Sequence, residues 1–466
     1  MSKKPNVLFL LADDQRFNTI AALGNPDIHT PNLDRLVARG MAFTHAYIPG
    51  GTSGAVCMPS RAMINSGKEL FHLSGAGEQI PCDHVTMGQA FRCGGYDTIG
   101  IGKWHNGTES FARSFSAGDE IFFGGMWDHW NVPVSSFHED GKYENKINYT
   151  CDFLHANHPM QMIAERINAG KHSTELFTDC AIDFIEKEKD SEKPFLMYTA
   201  LLAPHDPRTM PEKFKNMYDP EKITLPENWA HEHFFYGYDY RNMRDEGLAG
   251  YPRTEKELRR HLADYYAMIS HIDEHVGRIL DALERTGQLD NTIIVYAGDN
   301  GLAVGCHGLM GKQNLYDHSV HVPLLISGPG IQAGLRSSEY VYLMDIYPSL
   351  CELCGLDIPA SVEGKSFVPV LNGEKGQREV LYLAMVDVIR GVQDKHFKLI
   401  RYRECPEHDQ LFDIRNDPFE LHNLHNDPSH AEDLQRMEAL LQEQRAHWED
   451  DPENKFTKAF WSKVEG

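Results

Sequence analysis

Four short apolar runs in this chain each stop at residues that carry chemistry. Asn6-Val7-Leu8-Phe9-Leu10-Leu11-Ala12 stops at Asp13-Asp14, and Asp97-Thr98-Ile99-Gly100-Ile101-Gly102 stops at Lys103-Trp104-His105. Phe195-Leu196-Met197-Tyr198-Thr199-Ala200 leads to Pro204-His205-Asp206, and Thr292-Ile293-Ile294-Val295-Tyr296-Ala297 leads to Gly298-Asp299-Asn300-Gly301. An unbroken apolar run of this kind reads as a strand buried on both faces, as in the parallel sheet of an α/β protein. In open α/β sheets, ligands sit outside the carboxyl ends of the strands. Four strands thus bring acids, histidines and a lysine to one sheet edge, which packing alone does not require.

Helices are expected between them. Leu258, Leu262, Tyr265, Ile269, Ile272, Val276, Ile279 and Leu283 recur at steps of three and four, giving one long amphipathic helix. Its His271 and His275 lack a Glu-x-x-His context and read as a polar flank of a core helix. Thr30-Pro31 opens a short helix through Arg39, with Gly40 as its stop. Cys57-Met58-Pro59-Ser60-Arg61 opens another, Pro59 suiting a first turn where no backbone donor is needed. A group at Cys57 would face unpaired N–H groups and the positive end of the helix dipole, with Arg61 one turn on. That is a place to hold an anion.

Residues 106–170, and the segment from His205 to about Pro252, have little periodicity and read as insertions over the sheet edge. Beyond residue 370 the texture becomes strand-like alternation, followed by a helix carrying Leu434, Met437, Leu440 and Leu441. The expectation is an α/β chain with a domain at 1–370 and a smaller domain at 371–466, the latter an antiparallel sheet with a helix packed on it.

The net charge of −23 argues against nucleic acid and anionic membranes as partners, and an anionic substrate would need a locally basic pocket. No segment approaches the ~20 apolar residues of a membrane span. Nine scattered cysteines favour a reducing compartment. These features predict a cytoplasmic protein, or a periplasmic one if a leader has been removed.

Asp13, Asp14, Asp299 and Asn300 are hard oxygen ligands that suit Ca²⁺ or Mg²⁺ and poorly suit zinc. Three carboxylates crowded together without a cation would repel strongly. Lys103, His105, His205 and Lys312 are the candidate proton-transfer and anion-binding groups. Gly102-Lys103 and Gly311-Lys312 are not phosphate loops, because neither has the required earlier glycine or a following Ser or Thr. Cys351 and Cys354 read as core cysteines on a helix.

In order, Asp13-Asp14, Cys57-Met58-Pro59-Ser60-Arg61, Gly102-Lys103-Trp104-His105, Pro204-His205, Gly298-Asp299-Asn300-Gly301 and Gly311-Lys312 match the motifs of type I sulfatases. The stretch from Leu411-Phe412-Asp413 to Asn423-Leu424 is similar to that family's closing segment. The resemblance implies an alkaline-phosphatase-like fold, with a large mixed sheet sandwiched by helices. It also implies oxidation of Cys57 to formylglycine by a maturation enzyme, and one Ca²⁺ (Mg²⁺ second) bound by Asp13, Asp14, Asp299, Asn300 and modified residue 57. Arg61 and Lys103 would then hold the aldehyde hydrate, with His105 beside it to help expel sulfate, while His205 and Lys312 would bind the sulfate and assist the leaving oxygen.

The family usually continues Leu-Thr-Gly-Arg after the pentapeptide, where this chain has Ile64-Asn65-Ser66-Gly67-Lys68. Asn106 stands where leucine is commoner, which predicts a polar group turned toward the substrate. Trp127, His129, Trp130 and His138 suggest a polar pocket for a sulfated sugar, with uronate 2-O-sulfates of glycosaminoglycans placed first. The rival readings are a phosphonate monoester or phosphodiester hydrolase on the same machinery, and a non-catalytic homologue in which Cys57 stays a thiol.

Overall fold

The computed structural model describes residues 4–150, 157–233, 243–450 and 460–461. All four apolar runs are strands, and they lie side by side in a nine-stranded mixed sheet. Asp97–Lys103, Phe195–Ala200, Asn6–Ala12 and Thr292–Gly298 run parallel in that order. Ala12 pairs with Gly298, Leu11 with Ala200, and Ala200 with Gly102. The carboxyl ends are therefore level, and Asp13, Asp299 and Lys103 leave the sheet at one edge. Beyond Thr292–Gly298 the sheet continues antiparallel through His321–Ser327 and Gly40–Tyr47. Leu335–Ser337 and Val341–Tyr342 both pair with Gly40–Tyr47.

The unbroken apolar runs serve two cores, one on each face of the sheet. Val7, Phe9 and Leu11 join a cluster containing Ala62, Met63 and Ile64 of the Cys57–Ser66 helix. Leu8, Leu10 and Ala12 join a cluster built on Met268, Ile272 and Val276 of the Glu255–Arg285 helix, which matches the predicted long helix. Side chains alternate across a strand, so a run buried on both sides must be apolar at every position.

Gly102 shows what a strand end next to a site requires. Its φ is +81°, and a Cβ there would lie 2.0 Å from the carbonyl oxygen of Ala200. Only glycine allows that approach, and the strand stays paired through Lys103, its last residue, opposite Phe122. Gly40 differs from its expected role as a left-handed helix stop. Its φ is −150°, and it is glycine because a Cβ would lie 2.0 Å from the Ile326 carbonyl oxygen of the neighbouring strand.

The segment 106–170 holds more regular structure than its texture predicts. Ala117–Phe122 adds a parallel strand beside Asp97–Lys103, and Asn131–Val134 with Arg166–Ala169 and Lys146–Tyr149 with Met160–Ile163 form two antiparallel pairs. Parts of both expected insertions, residues 151–156 and 234–242, lie outside the described residues. His271 and His275 are buried, not flanking. They continue a row of rings from His129, stacked on His172, to His271 and His275, which meet their neighbours edge-on, with centroids 5.0, 4.6 and 4.8 Å apart.

The C-terminal strands Leu381–Met385, Ile389–Gln393, Phe397–Tyr402 and Gln410–Asp413 form an antiparallel sheet, and the Ala431–His447 helix packs on it. Gly50–Gly51, just before the Cys57 helix, joins this sheet as a parallel fifth strand on Leu381–Met385. The smaller sheet thus braces the segment that leads into Cys57.

Candidate active site

Cys57 is the first residue of the Cys57–Ser66 helix and is buried at the shared strand edge. Lys103 Nζ lies 3.5 Å from its Sγ and His105 Nδ1 lies 3.6 Å away. His105 reaches this position from a left-handed backbone with φ +72°, a conformation non-glycine residues adopt only at a cost. Burial and the Lys103 and Arg61 charges hold its imidazole well below its usual pKa, so it is neutral and able to accept a proton. Burial also pushes the Cys57 thiol up, against the pull of Lys103 and Lys312. As a cysteine it remains protonated and is a poor nucleophile.

The carboxylates face these cations. Lys103 Nζ pairs with Asp13 Oδ2, and Lys312 Nζ pairs with Asp14 Oδ1. Arg61 Nε donates to Asp299 Oδ2 at 2.8 Å and its Nη1 donates to the Lys103 carbonyl at 2.8 Å. Its Nη2, 3.7 Å from Asp13 Oδ2, makes no hydrogen bond among the described residues. The Asp14 N–H donates to Asp299 Oδ1 at 3.0 Å, and Asn300 Nδ2 donates to Asp14 Oδ1 at 2.8 Å. Ser60 Oγ fixes the strand exit by donating to the Asp299 carbonyl at 2.5 Å.

Burial raises the Asp13 carboxyl, but Lys103 and Arg61 outweigh it and keep this group well below the usual carboxylate range. Asp299 goes the other way, pushed up to about 6 by burial and the neighbouring Asp13 charge. Burial pulls Lys312 down, but Asp14 together with its other negative neighbours, Asp245 and Asp13 among them, outweighs this and holds it well above its ordinary value.

The oxygen donors fit a divalent cation. Asp13 Oδ1 and Asn300 Oδ1 are buried without a hydrogen-bond partner among the described residues. One ligand atom each from Asp13, Cys57 and Asp299 lies within 4.8 Å of the others, and the same holds for Asp13, Asp14 and His205. Orphaned acceptors beside packed carboxylates call for a hard cation.

His205 is held from behind. Its Nδ1 donates to the Asp206 carbonyl at 2.8 Å, which leaves Nε2, 3.6 Å from Asp14 Oδ2, to take or give a proton. The His205 carbonyl accepts from His129 Nε2 at 2.9 Å, and His129 Nδ1 bonds Ser173 Oγ at 2.7 Å. His129 is therefore a buried support and not a pocket wall.

Cys57, His105, His205 and Lys312 open onto a cleft of about 380 Å³ whose outer wall includes Met126, Arg244 and Gln313. Among the described residues, Trp127, His129, Trp130 and His138 do not line this cleft. Trp127 instead bonds the Asn131 carbonyl, and His138 pairs with Glu165. Asn106 also turns away from the cleft. It is fully buried, and its Nδ2 donates to the carbonyls of Met58 at 3.0 Å and Gly77 at 2.6 Å.

All ten residues predicted for the site converge here. Sequence reasoning missed the supports, namely Ser60, Asn106 and His129, together with Arg244 at the cleft wall.

The family model of sulfatases matches residues 5–356, and that of the C-terminal region of N-sulphoglucosamine sulphohydrolase matches residues 305–447. The chain belongs to the sulfatase family. It is a sulfuric ester hydrolase with the alkaline-phosphatase-like fold. An N-acetylglucosamine-6-O-sulfatase of Bacteroides thetaiotaomicron is 28% identical, with 98% of this chain and 89% of that protein covered. A solved structure of a protein in complex with its substrate D-glucosamine-2-N,6-O-disulfate is 24% identical with a TM-score of 0.77, covering 97% of this chain and 100% of that one. The phosphonate monoester hydrolase of Agrobacterium radiobacter shares the fold at 21% identity and a TM-score of 0.73, with 96% of each chain covered. No helix among the described residues is long and apolar enough to cross a membrane.

Proposed function

We propose that this sulfatase hydrolyses sulfate esters of carbohydrates, with residue 57 as the nucleophile after its conversion to formylglycine by a maturation enzyme. The observation that carries this reading is the placement of Cys57 Sγ, 3.5 Å from Lys103 Nζ and 3.6 Å from His105 Nδ1, against Asp13 and Asp299. As formylglycine, residue 57 supplies an aldehyde whose hydrate can attack sulfur and afterwards release sulfate, where a serine would remain as a stable ester. A divalent cation, Ca²⁺ in preference to Mg²⁺, would be held by Asp13, Asp14, Asp299, Asn300 and residue 57 and would offset charge on the sulfate oxygens.

The charges of the chain support this. The three carboxylates are matched by Arg61, Lys103 and Lys312, so a bound divalent cation leaves two positive charges. A sulfate monoester and one ionised hydroxyl bring two negative ones. Lys103 Nζ, 3.5 Å from Cys57 Sγ, and Arg61 Nη2, which has no partner among the described residues, are the donors suited to hold the hydroxyls of residue 57. Neutral His105 accepts the proton whose loss lets sulfate depart. His205 Nε2 or Lys312 Nζ donates to the leaving sugar oxygen.

Relatives named for N-acetylglucosamine-6-O-sulfate and for disulfated glucosamine make 6-O-sulfated glucosamines the first substrates to try, with uronate 2-O-sulfates as the second arm. The test is sulfate release from defined sulfated mono- and disaccharides, run beside an aryl phosphonate. Turnover of a sugar sulfate with little phosphonate cleavage supports the reading. Preference for the phosphonate, the reading favoured by the hydrolase neighbour, overturns it.

A further inference from the structure

Arg208 follows the catalytic-edge His205 by three residues and, among the described residues, makes no hydrogen bond or ion pair with a carboxylate. Its Nη1 bonds His261 Nδ1 at 2.8 Å, while its Nε and Nη2 are buried without a partner among the described residues. His261 Nε2 is likewise buried and unpartnered. Arg208 opens onto a cleft of about 750 Å³ to which Lys215 and Arg260 add two further cations.

Two carboxylates also line this cleft; both charges act on Arg208, but among the described residues neither makes a hydrogen bond or a close ion pair with it. Asp206 gives both oxygens to Arg244, with Nη2 to Oδ1 at 2.8 Å. Burial pushes the Asp264 carboxyl up against the pull of Arg208 and Arg260. The result is a basic patch in a chain of net charge −23. A guanidinium offers a planar fork of N–H donors that matches the oxygens of a sulfate group, and buried donors without a partner call for such an acceptor.

The cleft also has a defined place. Arg244 lines the catalytic cleft, Asp206 lines this one, and the two side chains are ion-paired, so a single salt bridge separates them.

We propose that this cleft is a second oxyanion site, in which Arg208, assisted by Lys215 and Arg260, binds a sulfate-type anion. Its source is either a second sulfate group on the saccharide being hydrolysed, which rests on the carbohydrate sulfatase reading, or a free sulfate or phosphate ion, which does not.

Protein with unmodified Cys57 is titrated with sodium sulfate by calorimetry, comparing wild type, Arg208→Gln and Arg208→Lys. The expected result is a sulfate-binding event present in wild type, lost in Arg208→Gln and partly restored in Arg208→Lys. Sulfate should raise the melting temperature of wild type more than that of Arg208→Gln. Arg208→Gln relieves a buried unpaired charge, so its melting temperature without sulfate should equal or exceed that of wild type, which also reports that it folds. Identical sulfate stoichiometry in wild type and Arg208→Gln overturns the proposal.

A second arm assigns the source. If the anion belongs to the substrate, the kcat/KM of a disulfated glucosamine relative to its monosulfated form falls in Arg208→Gln by roughly tenfold or more, the worth of one charge-assisted hydrogen bond. An unchanged ratio with Arg208-dependent sulfate binding assigns the site to a free anion. Arg208-dependent binding in a protein that hydrolyses no sugar sulfate upholds the site and overturns only the substrate reading.

Discussion

Asn106 Nδ2 donates to the carbonyl of Met58 at 3.0 Å, tying the residue after Cys57 to the residue after His105. The same amide holds the Gly77 carbonyl at 2.6 Å, so three segments of chain meet at one buried side chain. The nucleophile position and the neighbouring imidazole are thereby fixed relative to each other.

Asn106→Ala removes the buried amide donor from both carbonyls, at a cost of about 1–3 kcal/mol. Thermal unfolding should show this loss. With fully modified residue 57, kcat should fall more than KM rises, because the change disturbs the spacing of residue 57 and His105 and not the cleft wall. Asn106→Ala with wild-type kcat would show that the tie has no catalytic consequence.

Cys57→Ser keeps a hydroxyl at the strand edge but cannot release sulfate by collapse to an aldehyde. It is expected to react at most once and to retain a sulfo group on residue 57, detectable by intact mass and peptide mapping. Sustained turnover by Cys57→Ser would contradict the nucleophile assignment.

The strands and the meeting of the ten candidate residues at one sheet edge were legible because their signals are local. A run buried on both faces must be apolar throughout, and its abrupt polar end marks the sheet edge, as Ala12-Asp13 and Gly298-Asp299 show. The Ala117–Phe122 strand was not legible. It lies at the edge of the sheet, and its Ala117-Gly118-Asp119-Glu120 stretch is only partly buried, so the apolar pattern is missing. The supports were hidden for a different reason. An asparagine behind a helix and one in a pocket read alike until depth is known, so Asn106 was expected at the substrate and His129 in a sugar pocket. Each instead holds a backbone carbonyl behind the site.

The buried row of histidines lowers stability in acid. Burial holds His129 and His275 at about 4, His172 at about 3 and His271 at about 2. An unfolded histidine takes its proton near 6.5. Below that pH the unfolded state binds more protons than the folded one, so stability falls steadily as pH drops from 6.5 toward 4. His271→Leu removes one such group and should move the acid unfolding midpoint to lower pH, read by circular dichroism against pH. An unchanged or raised midpoint would contradict this account.

The most direct measurement relates activity to the chemical state of residue 57. Preparations with graded conversion of Cys57 to formylglycine, quantified by peptide mass spectrometry, are assayed for sulfate release from a 6-O-sulfated glucosamine in the presence of Ca²⁺. The expected result is a specific activity proportional to the converted fraction, vanishing when residue 57 is cysteine. Sulfate release that is independent of the converted fraction would contradict the central claim.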